Sequence, residues 1–265
     1  MGKTDAMIFI PRELVQGEMD IITKLETLMA FCWIRRFGSL DGYYYGNILS
    51  ITKKYGLSYD ETKTSRIPKQ ISAFIEGLDN LQKIGAIVLE EGDYHNIHDF
   101  FTIKSTLEPF EKKYISLKFD YFDYIFTVKK RVNKMGMLYI LVFVLGCYVC
   151  KEKPNGEKEW YRACSYSLDG LEYKTGIPRL SIYTYLKNLS VEEGYSGNAP
   201  LVKSRPWHIT INGQVIRFPN IYVENLSNHK EIIETERKAI KVKFETQESR
   251  IEFDNFDDLD RYEFY

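Results

Sequence analysis

Long hydrophobic runs are missing from this 265-residue chain. The longest apolar stretch, residues 137–150, falls short of the roughly 18 to 20 residues that a membrane-spanning helix requires, so no membrane span is expected. Cysteine is scarce as well. Four of them (Cys32, Cys147, Cys150, Cys164) are too few for the disulfide framework of a secreted scaffold and read as free thiols in a reducing compartment. The opening residues MGKTDAMIFIPREL carry no apolar segment behind their charge, and Ala6 stands where a myristoylation signal needs Ser or Thr. A cytoplasmic protein is expected. Neither sign of charge is in excess, with 36 basic against 37 acidic side chains, so net charge neither demands nor excludes a nucleic-acid partner.

What is present is the composition of a packed protein, 44% apolar and 28% charged, which excludes wholesale disorder and fibrous repeats. Its length fits one large domain or two small ones. Charge is distributed unevenly. Residues 229–265 hold 7 basic and 11 acidic side chains, so an acidic tail masks a mildly basic body.

A weak internal repeat organises that body. The segments IPKQISAFIEGLDNLQKIGAIVLEE from Ile67 and IPRLSIYTYLKNLSVEEGYSGNAPLVKS from Ile177 share Ile-Pro-basic, a helical pattern, Gly and an apolar strand, at an offset of 109 to 111 residues. Pro68 and Pro178 suit a first helical turn, and Gly85 and Gly194 are the expected helix stops. Shorter helices should precede them, with Asn47 and Ser167 as N-caps, closing at Tyr55-Gly56 and Thr175-Gly176. Upstream, KLETLMAFCWIRR spaces Leu25, Leu28, Met29 and Cys32 as one helical face, and KMGMLYILVFVLGCYV reads as a buried helix containing Cys147-x-x-Cys150.

Hairpins should follow each repeat. In the first, AIVLEE and NIHDFFTI flank the turn GDYH; in the second, PLVKS precedes WHITINGQVIRFPNIYV, where Asn212-Gly213 is a strong type I′ turn signal. Helix, helix, turn, helix and hairpin, stated twice, is the order of a winged helix-turn-helix. The fold class expected is therefore α+β and predominantly helical, with two tandem winged helix-turn-helix domains at residues 7–105 and 115–226. The second carries an inserted hairpin at about 151–164, and residues 229–265 add a C-terminal helix and an acidic, aromatic tail. The aromatic, lysine-rich linker 108–134 should pack on a domain rather than float.

The N-terminal part of a recognition helix is the end free to meet base edges. In the first repeat the apolar stripe Ile67, Ile71, Phe74, Ile75, Leu78 and Leu81 turns Lys69 and Gln70 outward, with Lys63, Ser65 and Arg66 entering from the loop. In the second, Ile182, Tyr185, Leu186 and Leu189 face inward. Arg179, Ser181, Tyr183, Thr184 and Lys187 are then the outward candidates, joined by Lys174 and Thr175 before the turn and by Lys203, Arg205 and His208 at the start of the wing. Gln pairs with adenine, Arg and Lys with guanine or phosphate, and Ser and Thr with phosphate. The same residue types also decorate ordinary solvated helix ends, and winged helices also dock proteins.

Chemistry of other kinds has little to stand on. Gly2-Lys3-Thr4 lacks the rest of a phosphate-binding loop. A single Cys-x-x-Cys inside an apolar helix is more often packing than zinc ligation, and His95 and His98 with Asp93 and Asp99 read as solvated wing residues. No catalytic constellation, metal site or cofactor is expected.

The stretch MIFIPRELVQGEMDIITKLETLMAFCWIRRFG, followed by a helix-turn-helix pattern, resembles the opening of replication initiators and replisome organisers of plasmids and phages from Gram-positive bacteria. YISLKFDYFDYIF repeats that opening, with Lys118 where the family often shows Pro, which suggests a tandem form. The resemblance spans residues 7–226. It implies non-catalytic binding to repeated origin or operator duplexes and recruitment of a replication protein, such as a helicase or its loader, through the C-terminal region; a homodimer stays open. A transcriptional regulator on the same scaffold and a protein-docking adaptor are the alternatives.

Overall fold

The computed structural model of the chain describes residues 6–54, 68–128, 132–152, 156–211 and 214–248. The chain divides into two compact units, Met1–Val142 and Phe143–Tyr265. Fewer than half of the described residues are helical, so the architecture is mixed α/β with several small sheets rather than predominantly helical. The strand content comes from the non-local pairing of an N-terminal strand with residues 114–118 and from two local hairpins in the second half, 148–164 and 207–218.

In the first unit, β1 (Met7–Pro11) leads through one turn of helix, α1 (Glu13–Gln16), into α2 (Ile21–Phe37). Asp20 caps α2, its carboxylate accepting from the Thr23 N–H at 3.1 Å. Every residue from 26 to 34 is buried, so α2 is the central helix of the unit rather than one with a single apolar face. Trp33 sits in its middle, donating its indole N–H to the Tyr44 hydroxyl at 3.2 Å and meeting Phe74, Phe122 and Phe126 edge-on.

Next come β2 (Tyr43–Gly46), α3 (Ile48–Lys54), α4 (Lys69–Lys83), β3 (Ile87–Glu91) and β4 (Phe101–Ser105). Asn47 caps α3 as its residue type requires, accepting from the Ser50 N–H at 2.8 Å. Pro68 is extended and α4 begins behind it; its stripe of Ile71, Phe74, Ile75, Leu78 and Leu81 is buried as the periodicity demands. Gly85, at φ 74°, turns the chain into β3. The sheet is antiparallel in the order β2-β4-β3. The loop joining β3 to β4 runs over residues 92–100, longer than the four-residue turn its sequence suggests. Residues 114–127, placed by the sequence at the junction with a second unit, form β5 (Tyr114–Lys118), antiparallel to β1, and α5 (Phe119–Thr127), which packs on α2. Arg36 of α2 holds Asp123 of α5 at 2.6 Å.

Glu26 lies buried where α2 crosses α4. Desolvation first, then the neighbouring carboxylate of Glu76, raise its pKa to about 7 against a weaker opposing effect of Lys69. Because the folded value exceeds the unfolded one, the stabilisation is complete below about pH 4.5 and is lost as pH rises through about 7. The loss is at most about 3 kcal/mol. Glu26→Gln should therefore flatten the pH dependence of urea unfolding and stabilise the protein at pH 8; an unchanged slope between pH 5 and 8 would contradict a buried, proton-binding Glu26.

The second pattern begins with α6 (Lys134–Leu145), within which the division between units falls. It continues through β6 (Tyr148–Glu152), β7 (Lys158–Cys164), α7 (Leu168–Thr175), α8 (Arg179–Leu189), β8 (Ser190–Glu192), β9 (Leu201–Lys203), β10 (Trp207–Ile211), β11 (Gln214–Phe218), β12 (Tyr222–Glu224) and α9 (His229–Glu248). Contrary to expectation, Cys147 and Cys150 do not share a helix: α6 stops at Leu145, and aromatic and β-branched Tyr148 and Val149 start the inserted hairpin β6–β7. Ser167 caps α7, accepting from the Gly170 N–H at 2.9 Å, and Gly176 at φ 70° ends it. Gly194, by contrast, is no helix stop; it turns the chain after β8.

Five strands form one sheet in the order β6-β7-β12-β9-β8, so β9 pairs with β12 and not with the strand that follows it. Equating β2, β3 and β4 with β7, β9 and β12 gives both halves the same strand order. The strands β10 and β11 make a separate hairpin between β9 and β12. Ile232 and Ile233 of α9 close the core formed by Ala163, Val202, Ile221 and Val223. The tail beyond residue 248, Tyr55-Gly56 and the Asn212-Gly213 turn lie outside the described residues.

Candidate nucleic-acid interface

Only three residues separate α7 from α8. Gly176 reverses the backbone, Ile177 is buried as a plug, and Pro178 sets the extended residue from which α8 starts. Thr175, expected to face a ligand, is instead 4% exposed. Its hydroxyl donates to the Leu171 carbonyl at 2.6 Å and accepts the Ile177 N–H at 3.3 Å, so it builds the turn and is withdrawn from the interface. Thr184 and Ser181 are half-buried, and the Thr184 hydroxyl is spent on the Leu180 carbonyl.

Along α8 the exposed face is Arg179, Leu180, Tyr183 and Lys187, opposite the buried Ile182, Tyr185, Leu186 and Leu189. Lys174 and Tyr173 of α7 are exposed beside the turn. Arg179 pairs with Asp169 of α7 at 2.7 Å, and both side chains are more than half exposed, a pair worth little in water and readily exchanged for a ligand anion. Farther along, Tyr183, Lys187, Ser190, Glu192, Lys203 and Tyr222 line a shallow concavity, which is where Lys203 of β9 is found.

The hairpin β10–β11 is two-faced. Trp207 stacks on Phe218 at 4.5 Å on one side, and Phe218 meets Phe244 of α9 edge-on at 5.7 Å. Exposed on the other are His208 and Thr210 of β10 with their cross-strand partners Arg217 and Val215. Arg205, at the bend before the hairpin, is exposed but committed: its Nε–H donates to the Glu193 carbonyl at 3.2 Å, and its backbone N–H to the Glu193 carboxylate at 3.0 Å. Arg237 of α9 donates to the same carboxylate at 3.0 Å and to the Arg205 carbonyl at 3.2 Å. The C-terminal helix thus braces the root of the hairpin. Arg237→Met, which keeps the apolar stem, should leave helix content unchanged while speeding amide exchange at Arg205 at least about tenfold; equal exchange rates would show that the brace is idle.

Leu180, Tyr173 and Arg217 were missed by sequence reasoning. Arg217 was within reach, since a two-residue turn at Asn212-Gly213 sets His208 opposite it by register alone. Leu180 and Tyr173 gave no signal, because exposure of single apolar residues is ordinary.

Residues 201–222 contain Lys203, Arg205, His208 and Arg217 and no Asp or Glu. The corresponding stretch of the first unit is the reverse: residues 87–100 contain Glu90, Glu91, Asp93 and Asp99 and no Lys or Arg. Its loop folds back on α4, where buried Tyr94 bonds through its hydroxyl to Asp79 at 2.9 Å and Gln82 at 2.7 Å. Burial, with the adjacent Asp79 carboxylate, pushes the Tyr94 phenol well above its ordinary pKa. His95 reaches Asp79 at 3.2 Å from an exposed position. Lys69 and Gln70 are exposed at the start of α4, while Lys63, Ser65 and Arg66 lie outside the described residues.

The arrangement in the second unit offers cations, an imidazole, phenols and one aliphatic side chain to a polyanion carrying flat, edge-functional groups. Among the described residues no group of three or more His, Cys, Asp or Glu could hold a metal ion, and no helix is long and apolar enough to cross a membrane. Compared with known protein families and with characterised proteins, the chain matches no family and no characterised sequence.

Proposed function

We propose that the chain is a double-stranded DNA-binding protein built on two winged helix-turn-helix patterns and that it acts without catalysis. The observation that carries the reading is the acid-free hairpin segment 201–222 beside the exposed face of α8. Support for the winged-helix pattern comes from the order helix, strand, helix, helix, strand, strand in the first half, with the first strand against the last in the sheet, and from the same order in the second half once β6, β8, β10 and β11 are counted as additions. On this reading α8 enters the major groove, where Arg179 reads guanine and Leu180 packs on a thymine methyl. Lys187 and Lys203 hold phosphates, and the wing carrying His208 and Arg217 reaches the adjacent backbone or minor groove. Lys69 and Gln70 serve the same purpose more weakly at the start of α4.

Replication initiation or replisome organisation of a plasmid, phage or other mobile element is the biological role we favour, on the strength of the resemblance of residues 7–226. The C-terminal region would then recruit a helicase or its loader. Selection of bound duplexes from random DNA tests the reading. Enrichment of one motif is expected, with log affinity falling against log salt at a slope of about −3.5 to −5.5, as about four to six phosphate contacts require. Absence of enrichment together with a slope near zero would sink it.

A further inference from the structure

The two halves share a strand order but not a surface, and the outer face of the first sheet is left with no role in DNA binding. Register places Tyr43, Lys104 and Val88 in one row across that face, and Tyr45, Thr102 and Glu91 in the next. A bulge between Leu89 and Glu91 puts the extra residue Glu90 beside Glu91, so two carboxylates crowd the β3 side. Tyr45 is 69% exposed and stacks on Phe100, itself 56% exposed, at 5.4 Å and 15°. Val88 and Tyr43 are exposed too, the latter with the Lys104 ammonium 5.5 Å from its ring.

We propose that this face is a docking surface for a protein segment in which Lys or Arg alternates with apolar side chains. Tyr43 and Tyr45 share one face of β2, Tyr45 stacks on Phe100, and Val88 lies across Lys104 from Tyr43, so exposed apolar side chains cluster on this face as they do at interaction sites. Among the described residues of the three strands and the β3–β4 loop, Glu90, Glu91, Asp93 and Asp99 stand against Lys104, a balance that selects a cationic occupant and repels a phosphate backbone. The loop behind the patch is fastened by Tyr94 to Asp79 and Gln82, and a Cβ at Gly92 would lie 2.0 Å from the Phe100 carbonyl oxygen, so Phe100 is presented from a tightly closed loop. Such rigidity lowers the ordering cost of an interface. The surface is independent of the DNA reading, since none of its residues belongs to the exposed face of α8 or the wing.

The test is a fluorescence-anisotropy titration of the full chain with a labelled twelve-residue peptide alternating lysine with leucine. The controls are the glutamate-for-lysine peptide and a twenty-nucleotide oligothymidylate. Saturable, salt-sensitive binding of the lysine peptide is expected, with none of the glutamate peptide. Tyr45→Ser with Phe100→Ser, and separately Glu90→Lys with Glu91→Lys, should each weaken it at least about tenfold, both pairs being exposed and compatible with folding. Lys187→Ala should leave it unchanged. Binding that survives both double variants, or equal binding of the glutamate peptide, would overturn the proposal. Oligothymidylate binding lost in the aromatic double variant would also overturn it and make the face a base-stacking platform.

Discussion

Replacing Arg179 by alanine should weaken binding to the selected duplex by between about fivefold and 150-fold and relax the preference at one base pair, because a lost bidentate contact to guanine costs about 1 to 3 kcal/mol. The side chain leaves the first residue of α8, behind the extended Pro178, and nothing in the core depends on it. Its partner Asp169 competes with DNA only weakly, being itself 65% exposed. Asp169→Asn should consequently raise affinity slightly rather than lower it. Lys187→Ala, by contrast, should weaken all sequences alike and reduce the salt slope by about one. Lys69→Ala should have the smallest effect, since Lys69 stands above an acidic unit and near Glu26. Isothermal titration at fixed salt distinguishes these outcomes. Equal affinity of Arg179→Ala and wild type on the selected duplex would remove α8 from the interface.

Gly77→Ala should destabilise the protein by about 1 to 3 kcal/mol even though alanine is the better helix former by about 1 kcal/mol. At this point in α4 a Cβ would lie 2.3 Å from the carbonyl oxygen and 2.7 Å from the carbonyl carbon of Glu26, and 3.0 Å from the Ala30 Cβ. All three belong to α2, two of them to its backbone, so relief requires the helices to separate. Separation would open the contact on which Trp33, Phe74 and Leu78 are packed. Urea unfolding followed by the fluorescence of buried Trp33, with Trp160 and Trp207 replaced by Phe in both proteins compared, reads the loss. A midpoint at or above that of wild type would mean that α2 and α4 do not approach this closely.

Local chemistry made the helix boundaries around the turn legible. Pro68 and Pro178 set the starts of α4 and α8, Asn47 and Ser167 the caps of the helices before them, and period-3.6 stripes the buried faces. What escaped was decided elsewhere in the chain. The burial of α2 on every side depends on α4, α5 and two strands, none of which its own periodicity can report. Likewise β12 lies between β7 and β9, a pairing set by segments tens of residues away, whereas the β10–β11 pairing follows from the local turn signal at Asn212-Gly213. Thr175 was misassigned because a threonine that builds a turn and one that faces a phosphate look alike in sequence. Of the candidate site, the exposed face of α8 was legible, Arg217 was reachable through the hairpin register, and Leu180 and Tyr173 gave no signal. The opposite charge of residues 87–100 and 201–222 was countable in the sequence, whereas the fastening of the first loop on α4 through Tyr94 was not.

On the proposed function the second unit reads a duplex through α8 and the β10–β11 hairpin. The most direct measurement is the affinity of the full chain for three DNAs at about 0.15 M salt: the selected duplex, a scrambled duplex of equal length, and one strand of the selected duplex alone. The selected duplex should bind at least about a thousandfold more tightly than the scrambled one, the lower edge of sequence-specific recognition, and the single strand no better than the scrambled duplex. Equal affinity for all three would contradict it.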